Sequence, residues 1–88
     1  MQKCGAFQNN AITPEVQAIA DRHLADINEK LGKAFKTIHV NKYQSQIVAG
    51  MNHLVEFTAD DGTKGSAKIY QPLPHTGLPT SLSEAHVL

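Results

Sequence analysis

Apolar residues recur at three- and four-residue steps between positions 13 and 31, at Val16, Ile19, Ala20, Leu24, Ile27 and Leu31, and this period predicts one amphipathic helix. Thr13 is placed to cap it, Pro14 fits the first helical position without sacrificing a hydrogen bond, and Glu15 meets the positive end of the helix dipole. Gly32, flanked by Lys30 and Lys33, marks the stop. Beyond Gly32 the period shortens to β-branched and aromatic runs punctuated by Gly, Asp and Pro, the signature of strands and turns. Asp60-Asp61-Gly62 separates the runs 54–59 and 63–70 and predicts a hairpin, because both turn residues tolerate positive φ.

The alternation slips once. Ile38 and Val40 fall on one face of a strand and Tyr43 and Ile47 on the other, which predicts a bulge or bend between Val40 and Tyr43. Ala49 and Gly50 interrupt the next apolar run and predict an earlier hairpin, and residues 71–79, with three prolines and a glycine, form a third break. The expected architecture is α+β: one amphipathic helix packed across a curved antiparallel sheet of four to five strands. A loose N-terminal arm over residues 1–12 precedes the helix. A chain of 88 residues holds one domain and buries only about 60–65% of its unfolded surface, so stability is expected to be modest.

Charge and cysteine content narrow the function classes. Eight basic and eight acidic residues balance, leaving no basic excess for phosphates, so nucleic acid is not an expected partner. Cys4 is the only cysteine, which excludes an internal disulfide and favours a reducing compartment. The first ten residues lack the apolar run of a secretory leader, and no stretch has the ~18 apolar residues of a membrane span. A cytoplasmic location without membrane attachment is the expectation.

Candidate chemistry is sparse. His23, His39, His53, His75 and His86 lack metal-ligand spacing, so neither a metal nor another cofactor is expected, and His39 and His53 read as ordinary sheet-surface residues. Cys4 with His75 is formally a nucleophile pair, but a thiolate nucleophile needs a rigid electropositive seat and Cys4 lies on the arm. No phosphate loop or nucleophile elbow is present, and the chain is not expected to be an enzyme.

Three irregular segments remain, at residues 3–7, 46–50 and 73–75. Ile47 and Val48 stand at a hairpin tip where Asn, Gly or Asp would be usual. In a meander the first and third turns share one end of the sheet, so the tip and Leu73-Pro74-His75 are expected as neighbours. The pattern leaves open whether the arm joins them, and whether Ile47 and Val48 tuck under the hairpin or form an exposed ridge.

At these residues the chain resembles the stefins, the type 1 cystatins. The Gln-x-Val-x-Gly signature stands as Gln46-Ile47-Val48-Ala49-Gly50, Cys4-Gly5-Ala6 resembles the N-terminal trunk, Thr13-Pro14-Glu15-Val16-Gln17 the helix start, and Gln71-Pro72-Leu73-Pro74-His75 the second hairpin. The order and spacing match over nearly the whole chain, read as a single cystatin-like domain over residues 1–88. Stefins typically continue past the point where Leu88 stands. The resemblance implies a reversible, competitive inhibitor of papain-like cysteine proteases of the cathepsin type, entering the active-site cleft as a wedge. Cys4, Gly5 and Ala6 would lie on the substrate side, Gln46, Ile47, Val48, Ala49 and Gly50 over the catalytic cysteine, and Leu73, Pro74 and His75 on the leaving-group side. It also implies an active monomer with a domain-swapped dimer as a second form. The competing reading is a non-inhibitory cystatin-fold module that binds another protein through the same end.

Overall fold

A computed structural model of the chain describes residues 8–88. Five strands, β1 (Gln8–Asn10), β2 (Ile38–Val48), β3 (Gly50–Ala59), β4 (Lys64–Gln71) and β5 (Ser81–Val87), form one antiparallel sheet in sequence order. Two helical segments, α1 (Pro14–Arg22) and α2 (Leu24–Leu31), pack across it.

The helix begins as its first residues dictate: Thr13 is extended, with φ −112° and ψ 165°, and its hydroxyl accepts the Val16 amide at 3.3 Å. It ends on Gly32 in the left-handed conformation. Between these ends the expected single helix is interrupted at His23, which leaves helical geometry with φ −104° and ψ 15°. The cause is tertiary. His23 is buried, its Nδ1 lies 2.9 Å from Asp26 Oδ2, and its Nε2 lies 2.8 Å from the hydroxyl of Thr80, the residue just before β5. Val16, Ala20, His23 and Ile27 nevertheless keep one buried stripe.

On the sheet, Val55, Phe57 and Ala59 of β3 alternate inward with Ala67 and Ile69 of β4, and Phe35 meets Phe57 edge-on at 6.2 Å between ring centres. The expected bulge is present: the β2–β3 register shifts between Val40 and Lys42. The extra residue returns Tyr43 to the core face, so Ile38, Val40 and Tyr43 are all buried despite the broken alternation.

The arm is not loose where it is described. Gln8, Asn9 and Asn10 pair with Ser45, Gln44 and Tyr43, and the side chains of Asn9 and Asn10 reinforce the ladder, with Gln44 Nε2 donating to Asn9 at 2.8 Å and the Ser45 hydroxyl donating to Asn10 at 2.7 Å. β1 ends before it reaches the start of β2, and there the helix supplies the missing partner. Gln17 donates from Nε2 to the Ile38 carbonyl at 2.9 Å and accepts the Val40 amide at 3.0 Å, acting as a one-residue surrogate strand. Gln17→Ala is expected to destabilise the fold by about 1–3 kcal/mol by orphaning two backbone groups beside the buried Ile38 and Val40. Urea unfolding measures this, and a midpoint equal to the parent's would show that water replaces the glutamine at no cost.

Candidate functional site

The β2–β3 hairpin and the β4–β5 connection lie at one end of the sheet, and the Asp60-Asp61-Gly62 turn lies at the other. At the first of these ends, β2 and β3 pair up to Val48 and Gly50, leaving Ala49 alone at the bend. Gly50 has φ +114°, and a Cβ placed there would stand 2.4 Å from the Gln71 carbonyl oxygen. The two loops therefore touch through backbone, and the absent side chain is what permits it. A cleft of about 200 Å³, lined by Gly50, Met51, Gln71, Pro72, Leu73 and Pro74, runs between them.

Ile47 is 68% exposed, Val48 41% and Leu73 40%, so the apolar residues of both loops project outward rather than tucking beneath the hairpin. Gln46 is half-buried and accepts from Asn52 Nδ2 at 2.7 Å across the hairpin. Pro74 and His75 form an exposed 3₁₀ turn, Pro74–Thr76, closed by Gly77 at φ 68°. Thr76 stiffens it: its hydroxyl donates to the Leu73 carbonyl at 2.7 Å and accepts the Leu78 amide at 3.2 Å. Leu78, whose amide this turn holds, is 65% exposed, a further outward apolar residue that the sequence reading missed. Its signal was available, since Leu78 is the remaining large apolar residue in a Pro- and Gly-rich turn.

Beneath the loops, a polar bridge crosses three strands on the core face. The Tyr43 hydroxyl lies 2.6 Å from His53 Nδ1, and His53 Nε2 lies 2.7 Å from Gln71 Oε1, with the Tyr43 and His53 rings stacked at 5.7 Å. Burial raises the Tyr43 phenol above its ordinary pKa, with a bond to Ser45 partly offsetting it, so the phenol stays protonated and donates to Nδ1. Nε2–H then donates to Gln71. His53 is thus 5% exposed and fully bonded, correcting the expectation of a sheet-surface histidine; His39 is exposed and pairs with Thr58, far from His53 along the strand. Among the described residues no three His, Cys, Asp or Glu side chains gather as metal ligands, and no helix is long and apolar enough to cross a membrane.

β1 starts at this same end, since Gln8 faces Ser45, one residue from Gln46. Cys4, Gly5 and Ala6 lie outside the described residues. Two loops with outward apolar tips thus stand side by side, in backbone contact, at one end of the sheet. Comparison with known proteins agrees: the chain matches the cystatin domain family over residues 5–87. It is 37% identical to bovine (Bos taurus) stefin-C over 81% of this chain and 70% of that protein. It is 35% identical to pig (Sus scrofa) cystatin-B and 33% to human (Homo sapiens) cystatin-B, each over 91% of this chain and 83% of the relative. The chain belongs to the cystatin family, in its stefin branch, a family of cysteine protease inhibitors and not of enzymes.

Proposed function

We propose that this chain inhibits papain-like cysteine proteases of the cathepsin type reversibly and competitively, as a monomer in the cytoplasm. The observation that carries the reading is the pair of adjacent loops, in backbone contact at Gly50 and Gln71, presenting Ile47, Val48 and Leu73 to solvent. Gln46, Ile47, Val48, Ala49 and Gly50 cover the protease's catalytic cysteine, Leu73, Pro74 and His75 with Leu78 fill the leaving-group side, and Cys4, Gly5 and Ala6 fill the substrate side. Apolar tips displace water from the cleft, and because the loops are already bonded in shape they lose little conformational entropy on docking. That combination is how nanomolar affinity, about 12 kcal/mol, is reached without charge pairing. No peptide bond of the tip is offered in attack geometry, so the protease is blocked without cleaving its inhibitor.

Binding kinetics with papain test the reading. The full chain is expected to bind one-to-one, and a chain lacking residues 1–6 to dissociate about tenfold faster with little change in association, because the arm adds its contacts after the loops have docked. Its melting temperature should match the parent's, since the helix cap begins at Thr13. No binding by the full chain would end the inhibitory reading, and unchanged dissociation across several papain-like proteases would remove the arm from the site.

A further inference from the structure

The first loop is held from outside its own hairpin. Tyr70 stands on β4 opposite Asn52, on the face away from the buried Ile69, and its hydroxyl donates to the Ala49 carbonyl at the bend of the loop. The same ring end lies against Gly50, whose missing Cβ would meet the Tyr70 hydroxyl at 2.9 Å and Cε1 at 3.1 Å. Tyr70 is followed by Gln71, whose carbonyl touches Gly50 and whose side chain joins the His53 bridge on the other face. The last two residues of β4 thus meet the first loop at Ala49 and Gly50, through the Tyr70 hydroxyl and the Gln71 carbonyl, just before the chain enters the second loop.

We propose that Tyr70 is the positioning residue of the first loop: its hydroxyl, bonded to the Ala49 carbonyl, holds Ile47 and Val48 in the shape that docks before any partner arrives. This rests on the inhibitory reading above. Tyr70 itself is half-buried on the strand and acts through the loop backbone. Without the hydroxyl, the free loop samples other shapes, and only the competent fraction associates productively. Once docked, the loop is held by the partner, so dissociation proceeds as before. Loss of one hydrogen bond of ordinary net strength lowers the ratio of competent to other loop shapes roughly fivefold, so the competent fraction falls by up to about that factor.

The test is Tyr70→Phe, which keeps the ring and removes the hydroxyl. Association with papain is expected to slow by up to about fivefold with dissociation unchanged, the reverse of the kinetic pattern expected on removing the arm, and amide relaxation at residues 48–51 should show added motion on the microsecond-to-millisecond scale. A purely structural role would lower the melting temperature and leave the association rate alone, and that outcome would overturn the proposal. So would faster dissociation with unchanged association, which would make Tyr70 a contact. If the parent chain itself fails to inhibit papain, the inhibitory reading falls; the relaxation measurement then decides the hydroxyl's role, and a loop equally rigid in both proteins would overturn it.

Discussion

Gly50→Ala is expected to weaken inhibition of papain by about 100-fold, or about 2.7 kcal/mol. Two effects combine. The backbone at Gly50 has φ +114°, where an L-residue is strained by roughly 1–3 kcal/mol. The added Cβ would also meet the Gln71 carbonyl at 2.4 Å, and a backbone atom inside a strand pair cannot rotate aside. Relief requires β4 to move away from the tip, which separates the first loop from the second and spoils the fit of both to one groove. The melting temperature should fall by roughly 5–20 °C, the range this strain implies for so small a domain. Gly62→Ala separates the causes: Gly62 also has positive φ, at 88°, but no described atom would lie within 4 Å of its Cβ, and it sits at the far turn. That variant should lose stability and keep inhibition. A Gly50→Ala protein that inhibits like the parent would show that the spacing of the loops does not matter.

The second large effect is loss of inhibition on domain swapping. Ile47 and Val48 are β-branched and prefer extended backbone, yet the chain reverses beside them over the single unpaired residue Ala49. Straightening the loop joins β2 and β3 into one long strand. The half of one molecule containing β1, α1, α2 and β2 can then pack on β3, β4 and β5 of another, keeping every core contact in a symmetric dimer. The tip becomes strand interior, so the dimer is expected to inhibit more than 100-fold less well than the monomer. Incubation at high concentration near the unfolding temperature, separation by size and assay of each species against papain measure this. A dimer that inhibits like the monomer without dissociating would place the hinge elsewhere.

Much of this was legible in the chain because local pattern and tertiary demand agree. The broken alternation at Val40 and Tyr43 located the bulge, the Asp-Gly turn located the distal hairpin, and meander geometry alone put the two loops together. The break in the helix was not legible, because Leu24 and Ile27 stay in phase with Val16 and Ala20 while the distortion is set by the bond from His23 to Thr80, far along the chain. Nor was β1, since Gln8-Asn9-Asn10 has no apolar alternation and its pairing with β2 is supported by bonds from Gln44 and Ser45 to the Asn9 and Asn10 side chains. His53 did carry a signal, standing two residues before Val55 on the period that continues through Phe57 and Ala59. Its polarity hid it, because the partners that make burial tolerable, Tyr43 and Gln71, come from two other strands. Tyr70 reads as an outward strand residue, and nothing in sequence reveals that its hydroxyl reaches the opposite hairpin.

Whether the loop end occupies a protease cleft without being consumed is decided by titrating active papain with this chain and recovering both partners. Loss of activity at one inhibitor per enzyme, displacement by excess substrate, and intact inhibitor and active enzyme after dissociation are the expected results. Full papain activity at saturating protein would contradict it and leave a cystatin fold that binds something else. Recovery of chain cut between Gln46 and Gly50 in proportion to enzyme turnover would contradict it too, by making the loop a substrate.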